Sequence, residues 1–162
     1  MPISAPPWTA LTSLPNRVLF DDRIEQILKR AERNGTKFAL AFLDLDKFKP
    51  VNDQFGHKIG DKLLQMVAKR LLEHVRDMDT VTRIGGDEFV ILFEDISDKT
   101  TTENMMTNIL QAISIPYDIE GNKIEIGASA GIAIYPENGN DSNSLLHFAD
   151  GEMYRMKNEK QR

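Results

Sequence analysis

The sequence predicts an α/β fold of the α+β kind: a two-layer sandwich in which helices flank a ferredoxin-like sheet. Three observations predict it. Apolar residues switch between helical spacing and short strand-like runs along the chain,. The resulting order is helix, strand, helix, strand, strand, helix, strand, helix. Two of the strands are joined by a glycine hairpin,.

Each element has its own signal. Residues 1–7 carry three prolines, so residues 1–8 read as a linker or tail and 9–162 as one domain. From Asn16, Val18, Leu19, Ile24, Ile27, Leu28 and Ala31 recur three and four apart, until Asn34-Gly35 stops the helix,. Residues 38–43 (FALAFL) are apolar throughout, as in a buried strand, and a polar segment follows,. Residues 59–75 repeat the helical pattern through Leu63, Leu64, Val67, Leu71 and Leu72. Two β-rich runs, 80–84 and 89–93, flank Gly85-Gly86-Asp87-Glu88,. Residues 100–113 form a third helix with an apolar stripe that includes Met105, Met106 and Ile109. Residues 123–135 contain a long strand, with a short one around Tyr117 pairing with it across Gly121-Asn122. The last helix covers 141–157, with Asp141 or Ser142 as N-cap,.

Composition narrows the function. The 162 residues are 41% hydrophobic and 28% charged, as in an ordinary globular domain,. The net charge of -5 argues against non-specific nucleic-acid binding,. No apolar run reaches the ~18 residues of a membrane span. The absence of cysteine removes disulfides and thiolate metal sites and fits a reducing cytoplasm,. The expected location is therefore cytoplasmic, alone or as part of a larger membrane-bound protein.

Two features carry chemistry. Asp44-Leu45-Asp46 closes the apolar strand, and residues two apart on a strand share a face,. Asp44 and Asp46 then point one way while Leu45 enters the core. Asp87-Glu88 sits in the glycine hairpin, where Gly85 and Gly86 let a ligand approach the backbone,. If the strands are neighbours, Asp44 and Asp87 form a carboxylate cluster suited to a hard cation. Taken singly, each feature is ordinary turn chemistry. The pair is the signal.

Gly85-Gly86-Asp87-Glu88-Phe89 also spells the name motif of the GGDEF family. It is accompanied by Leu14-Pro15-Asn16-Arg17, by Asp44-Leu45-Asp46-Lys47-Phe48-Lys49, and by Asn52-Asp53-Gln54-Phe55-Gly56-His57. Gly60-Asp61, Arg83, residues 129–133, Ala149-Asp150, Tyr154 and Lys157 complete a set that resembles the family from about residue 9 to 157. The resemblance implies a diguanylate cyclase, condensing two GTP into cyclic di-GMP, on a fold like that of nucleotidyl cyclases and the polymerase palm.

Residue by residue, the resemblance implies Asp44, Asp87 and the Leu45 carbonyl as ligands of Mg2+ or Mn2+. It places Glu88 and Arg83 with Asp87 in the catalytic group, Asp87 also being implicated in activating the attacking hydroxyl. The Lys47, Phe48 and Lys49 amides cradle phosphate, Lys157 meets the terminal phosphates, and His57 lies beside the nucleotide. Asn52 and Asp61 read guanine, since an Asp accepts from guanine N1–H and N2–H and adenine lacks the matching donors. Their ordinary readings are an Asx-turn for Asn52 and a helix N-terminal charge for Asp61. Arg76 and Asp79 match the inhibitory product-binding pair, whose ordinary reading is a surface ion pair. The implied partners are GTP, cyclic di-GMP, a second copy of the domain and a larger multidomain signalling protein. The alternative is a catalytically weak GTP- or cyclic di-GMP-binding module that regulates an attached domain. An ATP-using cyclase or palm leaves Asn52 and Asp61 unexplained. The chain departs from the family pattern at Thr9, where Asp is usual, at Ser13, where Gly is usual, and at Gln161, where Arg is usual.

Overall fold

Helix α1 (Arg17–Asn34) begins where the Asn16 side chain accepts from the Val18 and Leu19 amides, and ends at Gly35 in the left-handed region (φ 65°),. The structure, a computed structural model, describes residues 11–160. The departures at Thr9 and Gln161 lie outside the described residues. Ser13 lies inside, at φ 61°, a conformation that the family's glycine takes without steric cost,.

The chain continues through β1 (Lys37–Asp46), α2 (Phe48–Phe55), α3 (His57–Glu73), β2 (Thr80–Gly85), β3 (Glu88–Ile96) and α4 (Lys99–Ser114). The short β4 (Tyr117–Ile119) and β5 (Asn122–Ile124) follow, then β6 (Gly127–Tyr135) and α5 (Ser142–Lys160). The main sheet has the order β2-β3-β1-β6 with every pairing antiparallel. That is the ferredoxin-like arrangement expected, with β1 held on both sides.

Alternate residues of β1 feed two cores. Ala39, Ala41, Leu43 and Leu45 pack with α3 and α4, while Phe38, Leu40 and Phe42 pack with α1 and α5. The sandwich of sheet, α3 and α4 thus gains a further helical layer on the opposite face, which explains why residues 38–43 are apolar without interruption. The second layer fits closely. A Cβ on Gly131 would overlap the Ala149 carbonyl and the Met153 amide, so α5 rests on the bare backbone of β6.

Two expectations are corrected. The segment after β1 is not merely polar loop: residues 48–55 form α2, burying Phe48 and Val51. Pro50 is its third residue, in the first turn, where a missing N–H costs nothing,. The long strand expected within 123–135 is β6, but the short strand around Tyr117 pairs with the separate β5 and not with it. The chain leaves its pairing with β4 after Ile124 and joins β1 at Gly127. The β4–β5 turn has Glu120 and Gly121 at φ 51° and 83°, the positive pair that a tight hairpin requires,. Asp141 caps α5, accepting from the Ser144 amide. Among the described residues no helix is long and apolar enough to cross a membrane.

Candidate active site

The site forms where β1 ends beside the β2–β3 hairpin. Asp44 is the Cα partner of Glu88 on one side and of Ser129 on the other. The Leu45 amide donates to the Asp87 carbonyl at 3.2 Å, locking the hairpin to the strand end. Gly86 takes φ 48°, and a Cβ at either hairpin glycine would meet no atom within 4 Å. The hairpin backbone therefore faces open space. Arg83 braces it, its Nε donating to the Gly86 carbonyl at 3.0 Å. Arg83 thus positions the hairpin.

The sheet brings the expected carboxylates together. Burial first, then repulsion from Asp44, raises the pKa of Asp87 above its ordinary value,. Glu88 is raised by burial, then by Asp44, Asp87 and Asp150. Asp44 Oδ1 is buried with no donor facing it. Asp46, on the same face, accepts from Ser129 Oγ at 3.0 and 3.2 Å and from Lys160 Nζ at 3.0 Å. Lys157 Nζ lies 2.9 Å from Asp44 Oδ2 and 3.3 Å from the Leu45 carbonyl. Burial lowers the pKa of Lys157, but its bonds and attraction to Asp44 and Asp46 outweigh that and leave it raised. Leu45 itself points into the core, 1% exposed.

The donor set fits a hard divalent cation. Among the described residues no three side chains of His, Cys, Asp or Glu are gathered as a closed metal cage. Asp44 and Asp87 are adjacent, however, with a carbonyl between strand and turn. Two carboxylates and a carbonyl leave coordination positions for phosphate oxygens and water, as Mg2+ prefers. The orphaned Asp44 Oδ1 is the acceptor such an ion would satisfy.

The turn after β1 carries the second part. Lys47 is left-handed (φ 68°), and α2 starts behind it with no side-chain cap. The Phe48 and Lys49 amides are thus left for an anion, in a nest-like turn. Phe48 is buried, and Lys47 and Lys49 are exposed. A cavity of about 500 Å³ lies beside this turn, lined in part by Asp46, Lys47, Lys157 and Lys160.

The ordinary readings of Asn52 and Asp61 fail. Asn52 is the fifth residue of α2, not a turn residue, and Asp61 is the fifth of α3, beyond its first turn. Asn52 Oδ1 is buried without a partner. It lies against Gly60, where a Cβ would overlap it, so Gly60 makes room for the amide. Asp61 is exposed beside it. His57 is exposed at the start of α3.

Arg76 and Asp79 lie apart from this cluster and are engaged with each other. Asp79 accepts from Arg76 N, Nε and Nη2 and from Glu94 N, at 2.9 to 3.3 Å. Its side chain is fully buried, and the Arg76 side chain is 42% exposed.

Sequence reasoning missed the roles of Ser129 and Lys160 as partners of Asp46. A serine in an otherwise apolar strand and two lysines three apart at the end of α5 were the available signals.

A family model described as diguanylate cyclase, GGDEF domain, matches residues 10–162. The chain is 45% identical over 149 residues to the bifunctional diguanylate cyclase/cyclic di-GMP phosphodiesterase MucR of Pseudomonas aeruginosa, covering 92% of this chain and 22% of that protein. The solved GGDEF domain of TpbB (YfiN) from the same species superposes with a TM-score of 0.91 at 35% identity, covering 94% of this chain and 89% of that one. The GGDEF domain of Caulobacter crescentus DgcB, solved with c-di-GMP, gives 0.88 at 27% identity, covering 98% and 94%. The chain spans 22% of the length of MucR and 34% of that of full-length TpbB.

Proposed function

The chain belongs to the GGDEF family, and on that premise we propose that it is a diguanylate cyclase domain converting two GTP into cyclic di-GMP and two pyrophosphates. The observation that carries the reading is the Asp44–Asp87 pair, with one Asp44 oxygen buried and unpartnered, at the mouth of an open glycine hairpin.

Each GTP 3′-hydroxyl attacks the α-phosphorus of the facing GTP. The new O3′–P bond forms as the bond to the bridging oxygen breaks, and pyrophosphate leaves. Asp44, Asp87 and the Leu45 carbonyl would hold a divalent cation, Mg2+ or Mn2+, which would supply Lewis-acid charge at the phosphates. Asn52 and Asp61 select guanine, and the Lys47 to Lys49 amides hold phosphate oxygens. Lys157 meets the terminal phosphates. Glu88 adds a second acidic group beside the metal site, and Asp87 also serves to activate the attacking hydroxyl. Arg83 keeps the hairpin in register, and His57 borders the nucleotide.

One domain holds one GTP, so two copies must face each other, within a larger cytoplasmic signalling protein. Product inhibition belongs to Arg76 and Asp79, and the DgcB domain solved with c-di-GMP supports a product-binding role for such domains.

The test is product analysis after incubating concentrated protein with GTP and Mg2+. Cyclic di-GMP and pyrophosphate should accumulate, with specific activity rising with protein concentration as the domains pair. GTP bound but unconverted at every concentration would leave only a binding module.

A further inference from the structure

Two of the three groups assigned to the divalent cation, the Asp44 carboxylate through its other oxygen and the Leu45 carbonyl, are already engaged by a cation of the chain itself. Lys157 Nζ contacts Asp44 Oδ2 at 2.9 Å, the Leu45 carbonyl at 3.3 Å and Asp46 Oδ1 at 3.5 Å. We propose that Lys157 is the resting counter-cation of the site. Its ammonium occupies the Asp44 and Leu45 acceptors until metal and nucleotide arrive together, then gives them up and turns to the terminal phosphates. This rests on the reading of Asp44, Leu45 and Asp87 as metal-binding.

The two lysines of the last α5 turns divide the labour. Asp46 has its own compensation in Lys160, at 3.0 Å, and in the Ser129 hydroxyl, while Lys160 also bonds the Ala128 carbonyl. Asp46 therefore stays neutralised when Lys157 leaves. Asp44 has no such reserve. Lys157 is its ion-pair partner, and neighbouring Asp87 and Glu88 have no ion pair among the described residues. Withdrawing the ammonium alone would strand three carboxylates, which is costly in a partly buried site. The exchange is then coupled. Metal alone competes with a tethered ammonium, whereas metal bound to a triphosphate gives that ammonium a new anionic partner. Metal and nucleotide should bind cooperatively through this one side chain.

Manganese titration followed by electron paramagnetic resonance tests this, with and without a non-hydrolysable GTP analogue. Without nucleotide, Lys157→Met should bind Mn2+ on the order of tenfold tighter than wild type, since a competing positive charge is gone. Lys160→Met should change affinity less than about threefold, as an exposed pair does. The analogue should tighten Mn2+ binding more in wild type than in Lys157→Met. Equal or weaker Mn2+ binding by Lys157→Met, or an equal gain in Lys160→Met, overturns the proposal. A measurement on unaltered protein guards against a folding defect: the Lys157 15N ammonium resonance should shift when Mg2+ and the analogue saturate, and that of Lys160 should not. An unmoved Lys157 resonance also overturns it. Failure of Mn2+ to bind any form, even with the analogue, sinks the metal reading itself. Binding with the analogue but no gain in Lys157→Met sinks only the resting role.

Discussion

Two charged clusters of this domain, one before β2 and one at the end of β1, are built on contrary principles. In the loop before β2, four donors converge on a fully buried Asp79 side chain. At the end of β1, Asp44 keeps a buried oxygen without a donor, beside two carboxylates whose pKa values are raised. In the first cluster every charge is met, and Asp79 closes its loop. The second is under electrostatic strain that a bound cation would relieve, which is the expected mark of a site kept for chemistry.

The largest expected effect lies in the strained cluster. Asp87→Asn should lower kcat by at least about a thousandfold, because the cation and the developing charge lose a carboxylate. The same change should raise the melting temperature of metal-free protein at neutral pH. A carboxylate whose folded pKa is raised favours the fold when protonated and opposes it once ionised, so the neutral amide removes a cost,. That gain should fade as pH falls through the raised value toward the ordinary 3.8, where both forms are uncharged. Scanning calorimetry from neutral to acid pH checks the sign, and a destabilised Asp87→Asn would end the contrast.

Asp61→Ala should weaken GTP binding by about 2 to 4 kcal/mol if the carboxylate accepts two guanine N–H bonds, and should leave weak ATP binding unchanged. Competition titration with both nucleotides decides it. Equal affinity of the unmodified domain for ATP and GTP would remove the roles given to Asn52 and Asp61.

The satisfied cluster should behave otherwise. Arg76→Ala should cost on the order of 2 kcal/mol or more in cyclic di-GMP affinity, by calorimetric titration, with little change in initial rate. If product binds both forms alike, the pair serves only to close its loop. Asp79→Asn, by contrast with Asp87→Asn, should lower stability by about 1 kcal/mol, since its donors lose a charged acceptor. Denaturant unfolding would register the opposite signs of the two Asp→Asn changes.

What the sequence disclosed follows from the range of the interactions concerned. Alternation along 44–46 was enough to place two carboxylates on one face and Leu45 in the core, because that is a property of a single strand. The hairpin was legible for the same local reason. Helix α2 was hidden because Pro50 and polar neighbours mask a short amphipathic turn. Ser129 and Lys160 reach Asp46 across 83 and 114 residues, and no local pattern encodes such partners. An Asx-turn for Asn52 and a helix N-terminal charge for Asp61 fit the local sequence equally well, until their positions inside helices removed those explanations.

Gly131 deserves a mechanical reading. Because it lacks a side chain, α5 settles directly onto β6, and Lys157 leaves that helix about one turn beyond Met153, the residue whose amide would meet a Cβ there,. The missing methyl group works as a gauge for the reach of the lysine. An alanine there, acting as a shim, would leave Asp44, Asp46 and the hairpin carboxylates on their strands, yet lift α5 and the ammonium it carries away from Asp44. A change that touches no charge would then register as an electrostatic fault, felt at the nucleotide and invisible to any inventory of polar residues.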